Sequence, residues 1–359
     1  MTEPARDTLD SAGEIRAGEE LDVDGLTAYL QRAGPGGSSR IEVRQFRQGH
    51  SNLTYLVIVD GAEYVLRRPP FGNKVKTAHD MGREFRVLSA LAPVFAPAPR
   101  PLLICDDESV LGAPFYLMER RHGIVIRQSL PVGLTLSPEL ASRLCRTMVD
   151  TMAALHAIDY HAVGLTGFGK PEGYVARQVR GWTERYHAAQ TDPLPDFDAV
   201  AAWLAANMPP ERGAAVIHND FKFDNVMLDG DDPARITAVL DWEMATVGDP
   251  LMDLGTSLAY WAEATDPEPA RAIALGPTAA PGMWTRAELI RAYAERSGIE
   301  IGNVGFYHAY GLFKLAVVLQ QIYARYARGF TRDERFSRMN RTVEILFRNA
   351  AAVAERGML

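Results

Sequence analysis

The sequence predicts an α+β protein, with a small β-rich unit followed by a larger, mainly helical one. Strand-like runs gather before residue 119, helical periodicity dominates after residue 120, and no internal repeat or low-complexity block interrupts that order. At 359 residues the chain is long enough for two such units.

Residues 1–22 carry Glu3, Asp7, Asp10, Glu14, Glu19 and Glu20 against only Arg6 and Arg16. With almost nothing large and apolar, this acidic segment is expected to be a mobile tail. The small unit is expected over residues 23–119. It opens with a short helix from about Asp24 to Arg32, stopped by the Gly-Pro-Gly-Gly stretch at Gly34–Gly37. Three strands follow at Ile41–Arg47, Leu53–Asp60 and Glu63–Arg68, the last two joined by the hairpin dipeptide Asp60-Gly61. Thr77–Leu91 reads as a helix with one apolar face, Met81, Phe85, Leu88 and Leu91. Pro101–Cys105 and Pro114–Met118 complete a five-stranded, one-helix layout.

The helical unit is expected over residues 120–359. Helices are predicted at about Pro138–Ile158, Pro171–Ala188, Phe197–Asn207, Pro250–Trp261, Arg286–Ser297, Val304–Tyr326 and Glu334–Arg356. Two short strands, Val226–Leu228 and Ile236–Leu240, interrupt them. Asp249 followed by Pro250 reads as a helix N-cap with proline at the first helical position.

Composition narrows the function classes. Hydrophobic residues make up 47% and charged residues 23%, ordinary for a soluble globular protein, and a net charge of −7 gives nucleic acid no electrostatic reason to bind. Cys105 and Cys145 are far apart and in no metal-like spacing, which fits two buried small side chains in a reducing, cytoplasmic setting. The acidic start does not read as a signal peptide, and no run approaches the ~20 apolar residues a membrane helix needs. No membrane partner is expected, and the sequence carries no signal for oligomeric state.

The residues that carry chemistry lie in His218-Asn219-Asp220-Phe221-Lys222-Phe223-Asp224-Asn225, which leads into Val226-Met227-Leu228. Thirteen residues after Leu228, a second apolar run ends in Asp241-Trp242-Glu243. Phosphoryl transfer from ATP demands positioning and charge compensation more than covalent help. It needs a carboxylate beside the attacking hydroxyl and oxygen ligands for Mg²⁺ on the phosphates. Asp220, Asn225 and Asp241 supply those groups in a workable order. Either cluster alone would read equally well as a turn or a cap; the two at hairpin spacing point to phosphoryl transfer.

The first segment also matches the kinase pattern H-x-D-x-K-x-x-N, and Asp241-Trp242-Glu243 stands where kinases carry D-F-G. The chain therefore resembles the aminoglycoside and choline-type phosphotransferase family, and the resemblance implies a bilobal, protein-kinase-like fold using ATP and Mg²⁺. It makes Asp220 the catalytic base or hydroxyl-orienting residue and Asn225 and Asp241 the metal ligands, with Lys222 reaching the transferred phosphate. Asp253 and His218 become braces of the catalytic loop, and His156 a structural residue.

In the small unit, Ser51, Asn52 and Thr54 join the first two strands and offer donors to phosphate oxygens, although an ordinary hairpin loop would look the same. Strand alternation puts Val65 and Arg67 on one face and Arg68 on the other. The resemblance then sets Arg67 in place of the kinase lysine, with Glu84 as its ion-pair partner and Val65 against adenine. Met118 would line the adenine pocket, with the backbone of Glu119 and Arg121 at the adenine edge. Arg68 and Arg83 are expected to make surface salt bridges.

Only Met244–Gly248 separates Glu243 from Asp249, which leaves no activation segment on which a peptide could lie. A small-molecule hydroxyl acceptor is expected. Val304–Phe330 contains Lys314, Arg325 and Arg328 but no acidic residue, together with Phe306, Tyr307, Tyr310, Phe313, Tyr323 and Tyr326. That composition suits an anionic or amphipathic acceptor better than a polycation, unless the aromatics are core. Val65-Leu66-Arg67, Met118–Gly123 and Asp241-Trp242-Glu243 with Gly248-Asp249-Pro250 together resemble, more narrowly, the branch found alone in bacteria or fused to acyl-CoA dehydrogenases in animals, which implies a hydroxyacyl-CoA or related acceptor. No G-x-G-x-x-G strand–helix unit supports flavin chemistry. Two other readings stay open: a nucleotide-binding pseudokinase acting through partners, and an aminoglycoside-resistance kinase.

Overall fold

The computed structural model describes residues 10–34, 41–46, 52–71, 80–127, 129–131, 133–331 and 333–356. In chain order its elements are α1 (Val23–Ala33), β1 (Ile41–Phe46), β2 (Leu53–Val59), β3 (Ala62–Arg68), α2 (Met81–Leu91), β4 (Pro101–Cys105), α3 (Glu108–Leu111) and β5 (Phe115–Glu119). Then come α4 (Pro138–His156), α5 (Tyr174–Ala189), α6 (Pro195–Ala206), β6 (Ala215–Ile217), β7 (Val226–Leu228), β8 (Ile236–Val239) and β9 (Thr246–Gly248). The chain closes with α7 (Pro250–Ala259), α8 (Glu268–Ala272), α9 (Arg286–Ser297), α10 (Val304–Ala327) and α11 (Met339–Arg356). The α+β class is as the sequence predicts. α3, α8 and the strands β6 and β9 were not expected.

One compact unit gathers the residues up to Val125 with Pro131–Gly133 and Val226–Ala245. Its five-stranded antiparallel sheet runs β1-β2-β3-β5-β4. The β2–β3 turn forms because Asp60 and Gly61 adopt positive φ, 52° and 85°, which aspartate tolerates and glycine accepts freely. On one face Tyr55, Val57, Leu66 and Leu117 are buried beneath Leu26 and Leu30 of α1 and Val110 and Leu111 of α3. α2 begins at its cap Asp80, whose carboxylate accepts from the Arg83 amide. It buries Glu84, Val87 and Leu88; residues 77–79 of the expected helix lie outside the described residues. β7 and β8 form a separate antiparallel ribbon, extended by a bridge between Ile124 and Leu228. A Cβ on Gly123 would sit 2.3 Å from the Leu228 carbonyl oxygen, so this approach requires glycine.

Two expectations about this unit are corrected. Residues 10–22 are docked rather than mobile: Gly13 and Gln45 exchange backbone hydrogen bonds of 2.9 Å in both directions. The Tyr55 hydroxyl donates to the Glu19 carbonyl at 2.6 Å, and Arg120 donates to the Asp10 carbonyl. Acidic composition argued for disorder, but main-chain pairing and one buried phenol decide the matter. Arg68 is not a surface residue. It is 2% exposed and donates to the Leu111 carbonyl at 3.0 Å, because the face it points to is covered by α1 and α3 instead of water. Arg83 likewise donates to a backbone carbonyl, that of Ala245.

The second unit gathers 126–130, Leu134–Asn225 and Thr246 onward. β6 and β9 pair antiparallel, and α10 packs against α5, α7 and α11. α7 and α10 meet backbone to backbone: a Cβ on Gly311 would lie 2.0 Å from the Gly255 carbonyl oxygen, and one on Gly255 would lie 2.2 Å from that of Tyr307. Phe197, Phe313, Phe347 and Tyr186 form a stacked and edge-on aromatic core. Phe306, Tyr307, Tyr310 and Phe313 are buried and serve as packing, whereas Tyr323 and Tyr326 of the same helix are half-buried. Among the described residues no helix is long and apolar enough to cross a membrane.

Candidate active site

Within the sheet unit, alternation along β3 turns Arg67 toward α2. There its guanidinium lies 3.2 Å from Glu84 and 3.0 Å from Asp241. Both Arg67 and Glu84 are almost wholly buried. Burial pushes the Glu84 carboxyl up to about 7 against the pull of Arg67. Arg67 resists the same burial, and Glu84, Tyr116 and Asp241 hold it well above the ordinary arginine value. Asp241 has left-handed backbone, φ 65°, uncommon for a residue with a side chain. Trp242 beside it donates its indole N–H to the Val239 carbonyl at 2.9 Å and packs edge-on to Phe95.

Asn52 is buried and donates to Glu243 Oε2 at 3.0 Å, tying the start of β2 to the segment after Asp241. Thr54 lies opposite Arg67 in the β2–β3 register, and Val65 opposite Met118 between β3 and β5; the last two are buried neighbours. Glu119 ends β5, where its carboxylate accepts from the Arg100 amide at 2.8 Å and pairs with Arg121 at 2.7 Å. Ser51 lies outside the described residues.

Within the helical unit, β6 runs into the loop that carries Asp220. Asn219, immediately before it, has φ 66°, and side chains from neighbouring helices secure this left-handed turn. The Asp253 carboxylate on α7 accepts from the amides of His218 and Asn219, both at 2.7 Å. His156 Nε2 meets the same carboxylate at 3.1 Å, and His156 Nδ1 meets the Tyr293 hydroxyl at 2.6 Å. Burial alone would lift Asp253, but the hydrogen bonds and charge of His156 and the His218 amide hold it below the usual carboxylate range. The Tyr174 hydroxyl meets the Asn219 side-chain amide at 3.2–3.3 Å.

The turn presents Asp220 to Lys222, whose ammonium lies 2.9 Å from Oδ2, and to Asn225, whose amide donates to Oδ2 at 2.7 Å and to the Asp220 carbonyl at 2.8 Å. Sequence reasoning missed Tyr260, which donates its hydroxyl to Asp220 Oδ1 at 2.5 Å from the end of α7. It also missed Ser257, one turn earlier, which donates to the Phe221 carbonyl at 2.8 Å. The ammonium of Lys222 lies 4.7 Å from the Tyr260 ring centroid. Lys314 is buried and bound to the loop that carries Asp220, so it is not part of a basic wall.

A cavity of about 790 Å³ opens beside Tyr260, with Arg286, Arg338 and Arg356 and the apolar Leu312 and Leu346 among its lining. Its size suits a metabolite-sized ligand. Arg286 is already paired with Glu263 and Asp266, whereas Arg338 and Arg356 are exposed.

The Asp241 carboxylate in the sheet unit and, separately, the Asn225 amide in the helical unit each carry a hard oxygen, the kind of ligand Mg²⁺ takes. Asp241 also already faces a cation, Arg67, with its own side chain 31% exposed.

Comparison with known proteins gives one family match and several relatives. Residues 42–290, more than half of the chain, match the model of the phosphotransferase enzyme family. Acyl-CoA dehydrogenase family member 11 of Rattus norvegicus is 36% identical over 337 residues, covering 92% of this chain but only 42% of its own length. The chain thus spans less than half of that relative. An aminoglycoside phosphotransferase-type protein from Ralstonia eutropha superposes with a TM-score of 0.80 at 32% identity, over 94% of this chain and 99% of the other. Choline kinase from Cryptosporidium parvum shares the fold at 13% identity, with a TM-score of 0.59 over 92% and 98% of the two chains.

Proposed function

Since the chain belongs to the phosphotransferase enzyme family and has its protein-kinase-like fold, we propose that it moves the γ-phosphate of Mg-ATP to a hydroxyl of a small molecule. The observation that carries this reading is the carboxylate of Asp220, held by Lys222, Asn225 and Tyr260 on a turn that Asp253 braces. A carboxylate so fixed can orient the acceptor hydroxyl and take its proton as the O–P bond forms. Lys222 would follow the charge on the transferred phosphate. Arg67 would hold the nucleotide's phosphates, with Val65 and Met118 against the base and Asn52 and Thr54 near the phosphate loop. Asn225 and Asp241 would hold Mg²⁺, which when bound neutralises the developing phosphate charge.

For the acceptor, the cavity beside Tyr260 supports an anionic or amphipathic molecule. Its lining includes Arg338 and Arg356 together with several leucines, which suit an apolar body with a negative group. A hydroxyacyl-CoA-like metabolite meets that description, and the name of the rat relative points the same way. The two free, buried cysteines agree with a cytoplasmic setting.

The deciding assay is ADP release by purified protein with Mg-ATP across hydroxyacyl-CoAs, choline-like amines, sugars, homoserine and aminoglycosides, with Asp220→Asn as control. Acceptor-dependent turnover that the substitution abolishes is the expected result. Mg-ATP binding without turnover on any acceptor would favour a pseudokinase.

A further inference from the structure

Lys314 is the buried cation that the reading above leaves without a task. It lies on α10, beyond the family-matched residues, three positions after Gly311. It is 4% exposed, and its ammonium donates to the Asn219 carbonyl at 2.6 Å, with the Asn219 side-chain oxygen at 3.5 Å and the Trp182 ring centroid at 5.9 Å.

Burying an ammonium costs several kcal/mol on order of magnitude, which one neutral carbonyl does not repay. A methionine of similar length would fill the space without that cost. The compensation comes from its surroundings. The loop supplies Asp220 and α7 supplies Asp253, both favouring the charged form, while Lys222 of the loop and Arg185 of α5 oppose it. Burial is the largest influence and brings the Lys314 ammonium down to about 8.

The geometry assigns to Lys314 a positioning role in phosphoryl transfer. Its ammonium clamps the Asn219 carbonyl, fixes the left-handed turn that aims Asp220, and sets a positive charge behind that carboxylate. Asp253 secures the turn by its amides, and Lys314 secures it by its carbonyl. The Gly255–Gly311 contact makes both grips possible, because it brings α7 and α10 close enough to reach one loop.

This role rests on the kinase reading for its catalytic consequence but not for its structural one, so the test has two arms. Lys314→Met, Lys314→Gln and Lys314→Arg are made in the full chain. In the first arm, amide hydrogen exchange is followed at residues 218–225. Removing the charge in the Met and Gln variants is expected to speed exchange by about tenfold, with Arg holding nearer to wild type. In the second arm, kcat, acceptor KM and Mg-ATP affinity are measured on whichever acceptor turns over. The Met variant is expected to lose about 100-fold in kcat, the scale of a misplaced reacting group, with KM and nucleotide affinity within about twofold. Wild-type kcat should show a limb near pH 8 that the Met and Gln variants lack. Unchanged exchange in a folded Met or Gln variant overturns the proposal whether or not an acceptor is found. Retained kcat with only a lower Tm makes Lys314 merely structural. Absent turnover in wild type counts against the kinase reading alone and leaves the exchange arm to decide.

Discussion

The Tyr260 hydroxyl donates to Asp220 Oδ1 at 2.5 Å across forty residues of sequence. That phenol holds one carboxylate oxygen, Asn225 holds the other, and the Lys222 ammonium reaches both. The orientation of Asp220 is therefore fixed from both sides before any acceptor arrives.

Tyr260→Phe removes one hydrogen bond to a charged group and little packing. Such bonds contribute about 1.5–3 kcal/mol, which converts to roughly 10- to 100-fold in rate if felt in the transition state. We expect that loss in acceptor-dependent ADP release, accompanied by a fall of a few degrees in Tm. Wild-type turnover in the variant would show that Lys222 and Asn225 suffice.

Glu84 gives a pH prediction with a definite sign. Its folded pKa of about 7 lies above the ordinary value of 4.5, so between those limits the native state holds a proton that the unfolded state has lost. The associated stability is full below about pH 4.5 and disappears as pH rises through about 7, a change of about 3 kcal/mol. Glu84→Gln cannot titrate, so urea melts should show the gap between wild type and variant changing in that direction from pH 4.5 to 8. Parallel profiles would mean that Arg67 keeps Glu84 ionised throughout.

Asp253→Asn is the sharpest test of the loop brace. Asp253 accepts two loop amides at 2.7 Å with two oxygens, and asparagine offers only one. One amide must then face an NH₂ group in a fully buried site. We expect a loss of about 3 kcal/mol in urea unfolding and faster exchange at His218 or Asn219. Retention of wild-type stability would argue that Tyr174 and Lys314 hold the turn without it.

Gly311→Ala places a methyl group 2.0 Å from a backbone oxygen that no side-chain rotation can move. The helices must separate, and a destabilisation of about 2 kcal/mol or more is expected from thermal or urea melts. A neutral substitution would show that α7 and α10 slide freely.

Much of the site was legible because kinase-like chemistry is written locally. Asp220, Lys222 and Asn225 lie within six residues, and turn and ligand chemistry dictate their types. Strand alternation gave the face of Arg67, and the family resemblance gave its pairing with Glu84. Tyr260 and Lys314 were not legible, since their contacts with the loop span 40 and 95 residues and depend on how closely α7 and α10 pack. Arg68 was misread because alternation gives a face, not what covers it. β6 and β9 were missed because three-residue strands carry no period.

The N-terminal segment has a consequence for handling the protein. Gly13 pairs with Gln45 on β1, the outermost strand of the five-stranded sheet, and Glu19 takes the Tyr55 hydroxyl. A chain cut back to residue 21 would leave β1 with bare amides and carbonyls on its outer side. An open sheet edge of this kind recruits another strand, often from a second copy. The acidic stretch covers that edge at Gln45, and removing it lengthens the open edge. Shortened versions should be judged by their state of aggregation before their activity is read.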